Sequence, residues 1–340
     1  MSIEQLNGKR LPLGKNLPLE VPYSISVTTA NICNLKCEYC AISEKDRKRN
    51  KSLMDYETFC MAVDSMVKDS WHLKQIVLVG LGEPLINPDI VKLVSYAKEK
   101  NIADKIHIVT NGILLTHEMS DRLLDAGIDV IRISVNGLSD DDYFKYSGKR
   151  IDYQELLTNI RYLHDRKPDH VKIYSKIMDY MVSNEKRKKK FEEDWGSVSD
   201  VTNIEYLTYM STSIDYDGQI STVSKQKGLK GFNIPETNIC PLPFYHIYLN
   251  AEGTISACCV AGPWSSPPAL EMGDLHKMSI KEIWEGPKFR EFMLRMLEKG
   301  KNSADPVCKD CKAYKSYIYP EDVIDDNVER IAREIRRKMK

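Results

Sequence analysis

The sequence predicts an α/β protein built on a parallel sheet, and two observations predict it. From residue 24 onward, short β-branched runs alternate with amphipathic stretches of helical period. Such alternation implies parallel strands joined by right-handed crossovers, as an open sheet or a partial barrel. The alternation stops near residue 210, where a stretch rich in Gly, Ser and Thr leads into a second, smaller unit.

The strand candidates are residues 24–29, 75–80, 105–110, 130–135, 171–178 and 203–210, and the helix candidates are 55–68, 88–100, 117–126, 153–166 and 185–195. In the first helix Tyr56, Phe59, Cys60, Val63, Met66 and Val67 recur every three or four residues, which makes one apolar stripe and places Cys60 in the core. The run at 185–194 carries both charge signs and reads as a solvated helix face. The smaller unit offers a hairpin over 244–259 with a turn near Glu252–Gly253. An amphipathic helix over 279–300 follows, broken at Gly286–Pro287, and a charged helix ends the chain. The expected divisions are an N-terminal extension (1–20), the α/β unit (21–212), a linker (213–239), the small unit (240–320) and the C-terminal helix (321–340).

Composition narrows the function. The 340 residues carry 49 Lys and Arg against 49 Asp and Glu, which argues against an electrostatic grip on nucleic acid or an anionic membrane. The first twenty residues lack the apolar core of a signal peptide, and no run is long enough to span a bilayer. The expectation is a cytoplasmic protein with no membrane and no nucleic-acid partner. In a reducing compartment nine cysteines are poor disulfide material, and clustered ones read as metal ligands or redox groups.

Three of the nine, Cys33, Cys37 and Cys40, fall within eight positions after the first strand. In parallel sheets ligands gather at the carboxyl ends of the strands, where this loop would sit. Three thiolates can hold three irons of a four-iron cluster and leave the fourth open, whereas structural zinc wants four closed ligands. The second set is Cys240-x12-Gly253-x4-Cys258 followed by Cys308-x2-Cys311, which makes a four-thiolate site for zinc or an iron–sulfur cluster.

Cys33-x3-Cys37-x2-Cys40, with Tyr39 before the last cysteine, resembles the cluster loop of radical S-adenosylmethionine (SAM) enzymes. The resemblance extends to "VGLGEPL" (79–85), similar to the Gly-Gly-Glu-Pro motif with Leu81 in place of the first glycine, and to "VTNGILL" (109–115) and "RISVNG" (132–137). It implies a partial (β/α)6 TIM-like barrel whose open iron binds SAM, and whose chemistry runs through a 5′-deoxyadenosyl radical that abstracts a hydrogen atom. It further implies that Gly82 lets backbone approach the methionine part and that Glu83 accepts from the SAM ammonium. Tyr39, Asn111, Ser134 and Asn136 would line the SAM site. Lys176, an ammonium inside "IYSKIM", would pair with the SAM carboxylate or lie outward on an edge strand.

The second cysteine set, with "MGDLHKMSIKEIWEGPKFREF" between its halves, resembles the SPASM/twitch extension of the same enzymes. Lacking the further cysteines of the full form, it implies a small α+β twitch-type domain with one auxiliary cluster on Cys240, Cys258, Cys308 and Cys311. The cofactors implied are thus SAM and two 4Fe-4S clusters, with flavodoxin or ferredoxin as electron donor. Cys259, beside a ligand, is either packing or a hydrogen-atom donor.

Within the family the reading favours a small polar substrate, a sugar or amino-cyclitol, undergoing oxidation or epimerisation, because only about twenty residues precede the first strand and a leader-binding domain has no room. The alternatives are a peptide or protein maturase and a non-catalytic iron–sulfur electron carrier. Alcohol oxidation needs a proton acceptor, for which Lys176, Asp179 and Tyr209 are candidates.

Overall fold

The computed structural model describes residues 10–40, 51–208, 216, 226–259, 270–300, 305–309, 311, 314 and 317–340. Six strands lead: β1 (Ser24–Thr28), β2 (Leu73–Val79), β3 (Ala103–Thr110), β4 (Val130–Val135), β5 (Lys172–Met178) and β6 (Val201–Glu205). Each pairs in parallel with the next. The crossovers are α1 (Tyr56–Lys68), α2 (Ile90–Glu99), α3 (His117–Asp125), the pair α4 (Asp140–Ser147) and α5 (Tyr153–Arg166), and α6 (Glu185–Gly196). The fold is the expected partial TIM-like barrel.

Period-two alternation gives the sheet two unlike faces. Ile25, Val27, Ile76, Leu78, Ile106, Ile108, Ile131, Ile133 and Ile173 are almost wholly buried and form one core with the helices. Their neighbours on the other face are mixed: Ser24, Ser26 and Thr28 on β1, His107 on β3, Arg132 and Ser134 on β4, and Tyr174 and Lys176 on β5 are polar, beside the apolar Val77, Val109, Val130 and Val201.

The small unit joins this sheet. Strands β7 (His246–Leu249), β8 (Thr254–Ser256) and β9 (Glu271–Asp274) extend it past β1, in the order β6-β5-β4-β3-β2-β1-β7-β8-β9. β7 runs parallel to β1, and β8 and β9 return antiparallel. The hairpin turns at Gly253, whose φ of 84° falls where glycine alone is unstrained. Helices α7 (Ile280–Glu285) and α8 (Pro287–Lys299) follow, divided at Gly286–Pro287 as expected, and α9 (Val328–Lys338) packs on α8. Ser279 and Glu282 close a capping box on α7, and the Ile280 amide donates to Ser65 Oγ of α1 at 3.0 Å, tying the small unit to the barrel.

Several expectations need correction. The stripe of α1 is turned slightly: Thr58, Phe59, Ala62, Val63 and Met66 are buried, while Val67 is exposed and Cys60 only half-buried beside Tyr56 and Tyr96. The sixth strand begins two residues before the predicted range and ends at Glu205. Helix α4 was not foreseen. The C-terminal helix begins at Val328, after 3-10 turns at Pro320–Asp322 and Asp325–Asn327.

Candidate active site

The cluster loop follows β1 and is fixed from outside. Lys36 N donates to Ser147 O at 2.8 Å and Glu38 N to Tyr146 O at 3.1 Å, so the end of α4 anchors the loop between its first and third cysteines. Cys37 Sγ lies 3.5 Å from Asn136 Oδ1, which also accepts from Tyr39 Oη at 2.9 Å. Asn136 is itself held, its Nδ2 on Ser134 O and its backbone amide on Tyr143 Oη. Asn111 Nδ2 donates to Asn34 Oδ1 at 2.7 Å and stands 4.0 Å from Cys33 Sγ. The structure therefore brings Cys33, Cys37, Cys40, Tyr39, Asn111, Ser134 and Asn136 to one mouth of the barrel. Burial pushes the Cys33 thiol up to about 11 and raises Cys37 further, with the neighbouring thiols adding to both.

Gly82 and Glu83 have partners within the chain. A Cβ on Gly82 would sit 2.2 Å from Ile32 O and 2.5 Å from Ile32 N, so the glycine is required by the cluster loop itself. The Glu83 amide then donates to Ile32 O at 2.8 Å. The Glu83 carboxylate is 2% exposed and accepts from Thr110 Oγ1 at 2.6 Å, Asn111 N at 2.7 Å and Leu85 N at 3.1 Å. It clamps the ends of β2 and β3 to each other. Burial raises it to about 7 against the pull of those donors.

Lys176 faces the barrel interior, and β5 is not an edge strand. The partner its ammonium needs is supplied by the chain: Lys176 Nζ is 2.9 Å from Glu205 Oε2. Glu205 is fully buried, is bonded also by Lys230 Nζ, and accepts from Tyr174 Oη at 3.2 Å. The amines hold its carboxyl well below the usual range despite burial. Sequence reasoning missed Glu205, Lys230 and Arg132, whose guanidinium stacks 5.0 Å from the Tyr174 ring. Asp179 opens the turn after β5 and accepts from Leu207 N at 2.9 Å, joining the ends of β5 and β6. Tyr209 lies outside the described residues. Across the β1–β7 pair, Ser24 Oγ lies 2.7 Å from His246 Nδ1, and Thr28 Oγ1 donates to Tyr248 Oη at 2.8 Å.

Cys240, Cys258, Cys308 and Cys311 are brought together around one cavity walled by Leu242, Leu270, Phe292, Met296 and Tyr314. Each is buried, and no disulfide joins any of the nine cysteines. Among the described residues no group of three His, Cys, Asp or Glu converges on a point as one metal ion demands. Four buried thiols around one apolar cavity are a donor set that fits a four-iron cluster, and one that zinc also uses. Cys259 is half-buried and within electrostatic reach of Cys258 and Cys311, with burial the main reason its thiol is raised.

A sequence model of the Radical SAM superfamily matches residues 27–184, and one of the SPASM iron–sulfur cluster-binding domain matches residues 240–312. Residues 27–184 thus carry a radical SAM domain and residues 240–312 a SPASM domain. Together the two domains imply SAM and a SAM-binding plus an auxiliary 4Fe-4S cluster. Over 203 residues it is 26% identical to a Methanocaldococcus jannaschii protein named "Probable GTP 3',8-cyclase", a match over 60% of this chain and 65% of that one. The chain thus spans less than two thirds of that relative. In fold it is similar to anSMEcpe with bound AdoMet, with a TM-score of 0.62 at 15% identity over 94% of this chain and 98% of that one. It is also similar to BtrN in complex with AdoMet and 2-DOIA, with a TM-score of 0.55 at 16% identity over 86% of this chain and 93% of that one. No described helix is long and apolar enough to cross a membrane.

Proposed function

We propose that this radical SAM enzyme oxidises or epimerises a small polar substrate, of the sugar or amino-cyclitol type, inside its barrel. The observation that carries the reading is the inward lining. Hydroxyls of Ser24, Thr28 and Tyr174, the imidazoles of His107 and His246, the Glu205 carboxylate and the Lys176 and Lys230 amines stand where an apolar substrate would need hydrocarbon. When bound, the clusters and SAM supply the radical that takes a hydrogen atom from a substrate carbon.

The chain's residues supply the rest. Cys33, Cys37 and Cys40 hold the first cluster on a loop that Asn136 and α4 keep in place. Asn111, Ser134 and Asn136 border SAM, while Gly82 and Glu83 shape the wall behind it. Cys240, Cys258, Cys308 and Cys311 would hold the auxiliary cluster, which would supply an electron acceptor for an oxidation. The hydroxyl proton released in that oxidation needs an acceptor. Lys176, an ion-paired ammonium, has no lone pair to offer, so of the described candidates the role goes to the Asp179 carboxylate at the barrel mouth. Flavodoxin or ferredoxin as electron donor rests on the family resemblance, and the cytoplasm as the place of work on the lack of a signal-peptide core and of a membrane-spanning run in the sequence.

The experiment is anaerobic incubation of the reconstituted protein with SAM, dithionite and deuterated sugars, amino-cyclitols and peptides. Deuterium should enter 5′-deoxyadenosine from a sugar or amino-cyclitol. Transfer from peptides alone would replace this reading with that of a maturase.

A further inference from the structure

The charges inside the barrel do not balance. Arg132, Lys176 and Lys230 share one carboxylate, that of Glu205, and none of the three forms an ion pair with any other acidic side chain among the described residues. Both amines bond Glu205 directly. Among the described residues Arg132 pairs with no carboxylate: its Nε is buried without a hydrogen-bond partner, and its guanidinium lies 5.0 Å from the Tyr174 ring centroid. Asp322 is engaged elsewhere, by Arg10 Nη2 at 2.7 Å and by Tyr319 N at 2.9 Å. A guanidinium presents a rigid fork of donors that an oxyanion matches bidentately, and a buried donor left without a partner is costly.

A second observation points the same way. His107, one strand over from Arg132, is 3% exposed, and neither ring nitrogen has a partner. A buried imidazole with two orphaned nitrogens is costly unless something polar arrives. Burial and the neighbouring Arg132 keep it neutral, so it can donate one N–H without adding charge. The aromatic face of Tyr174, with Arg132 at 5.0 Å and Lys230 at 5.2 Å from its centroid, keeps the two cations from turning away.

We propose that the substrate carries an oxyanion, a phosphate or carboxylate, and that Arg132 is its seat, flanked by Lys230, Lys176 and His107. This deepens the proposed function and rests on the barrel interior being the substrate site. An oxyanion there has two sources, a substrate group or the carboxylate of SAM itself. The inference commits to the substrate, because Arg132 sits two residues deeper along β4 than Ser134, away from the cysteine loop.

The test titrates the anaerobically reconstituted holoprotein with inorganic phosphate by calorimetry, with and without saturating SAM. Phosphate should bind in both states, and Arg132→Gln should weaken it roughly ten- to a hundredfold, the loss of one charge-assisted contact. Arg132→Lys, which keeps the charge and loses the fork, should fall between, and melting temperatures will show that both variants fold. Equal phosphate affinity in Arg132→Gln, or no phosphate binding to the wild type, overturns the proposal. Binding that SAM abolishes also overturns it, by giving the cations to the co-substrate. The two readings fail differently. Deuterium transfer from a neutral amino-cyclitol with no phosphate binding sinks the anion seat alone, whereas phosphate binding with turnover of peptides only sinks the small-substrate reading.

Discussion

Gly82→Ala is a substitution of a single methyl group with a large expected effect. The added Cβ would lie 2.2 Å from Ile32 O, 2.5 Å from Ile32 N and 2.6 Å from Ile32 C. All three atoms are backbone, so no rotamer change relieves the contact, and the 79–85 loop must retreat by about an ångström to reach ordinary separation. Overpacking of this kind costs roughly 1–3 kcal/mol. The retreat also stretches the 2.8 Å bond from Glu83 N to Ile32 O, worth about 1 kcal/mol. A total of about 2–4 kcal/mol falls on the loop that carries Cys33. Thermal melting, iron content and SAM affinity are the assay, run beside Gly80→Ala, whose Cβ would meet Ala30 O at 2.6 Å. The expected result is a lower melting temperature, loss of iron from the first site and weaker SAM binding. A Gly82→Ala protein equal to wild type in all three would refute the argument that this glycine exists to admit the Ile32 backbone.

Other outcomes follow from the same geometry. Glu83→Gln turns an acceptor for three donors into a group with only one acceptor oxygen, leaving at least one buried donor unmatched. It should destabilise the apoprotein by about 1–3 kcal/mol, and an unchanged melting curve would return Glu83 to a purely ligand-binding role. His246, held by burial at about 4, is neutral in the fold but protonates when unfolded. Its contribution is therefore complete above about pH 6.5 and is lost as pH falls toward 4, about 3 kcal/mol in all; His246→Gln should flatten the acid limb of stability over that window. Cys308→Ala should remove about half the iron while deuterium still reaches 5′-deoxyadenosine and oxidised product drops; full product formation without the second cluster would end its role as electron destination.

What the sequence made legible was local. The cysteine spacing names a loop, and the β-branched runs name strands, because both signals span only a few residues. Gly286–Pro287 and Gly253 likewise fell where turn chemistry put them. The misreadings concern partners distant in sequence. Gly82 needed Ile32, fifty residues earlier, and Lys176 found Glu205, 29 residues on, where a bound carboxylate had been expected. Lys230 sits in a polar stretch read as linker, and nothing local says that it enters the barrel. Pairing of β7 with β1 joins residues about 220 apart, beyond any periodicity argument. Helix α4 was within reach: Ser139 caps it, Asp140, Asp141 and Asp142 fill its first turn, and Gly148 ends it in the left-handed region. Its eight residues, with a weak apolar pattern, hid it, although its C-terminal carbonyls hold the cluster loop.

The most direct measurement compares the wild type with a Cys33→Ala/Cys37→Ala/Cys40→Ala variant after anaerobic reconstitution. The wild type should hold about eight irons per chain and, with dithionite, convert SAM to 5′-deoxyadenosine and methionine. The variant should keep about four irons, those in the cavity of Cys240, Cys258, Cys308 and Cys311, and cleave no SAM. Zinc without iron in the wild type, or SAM cleavage that survives loss of the three cysteines, would contradict the account.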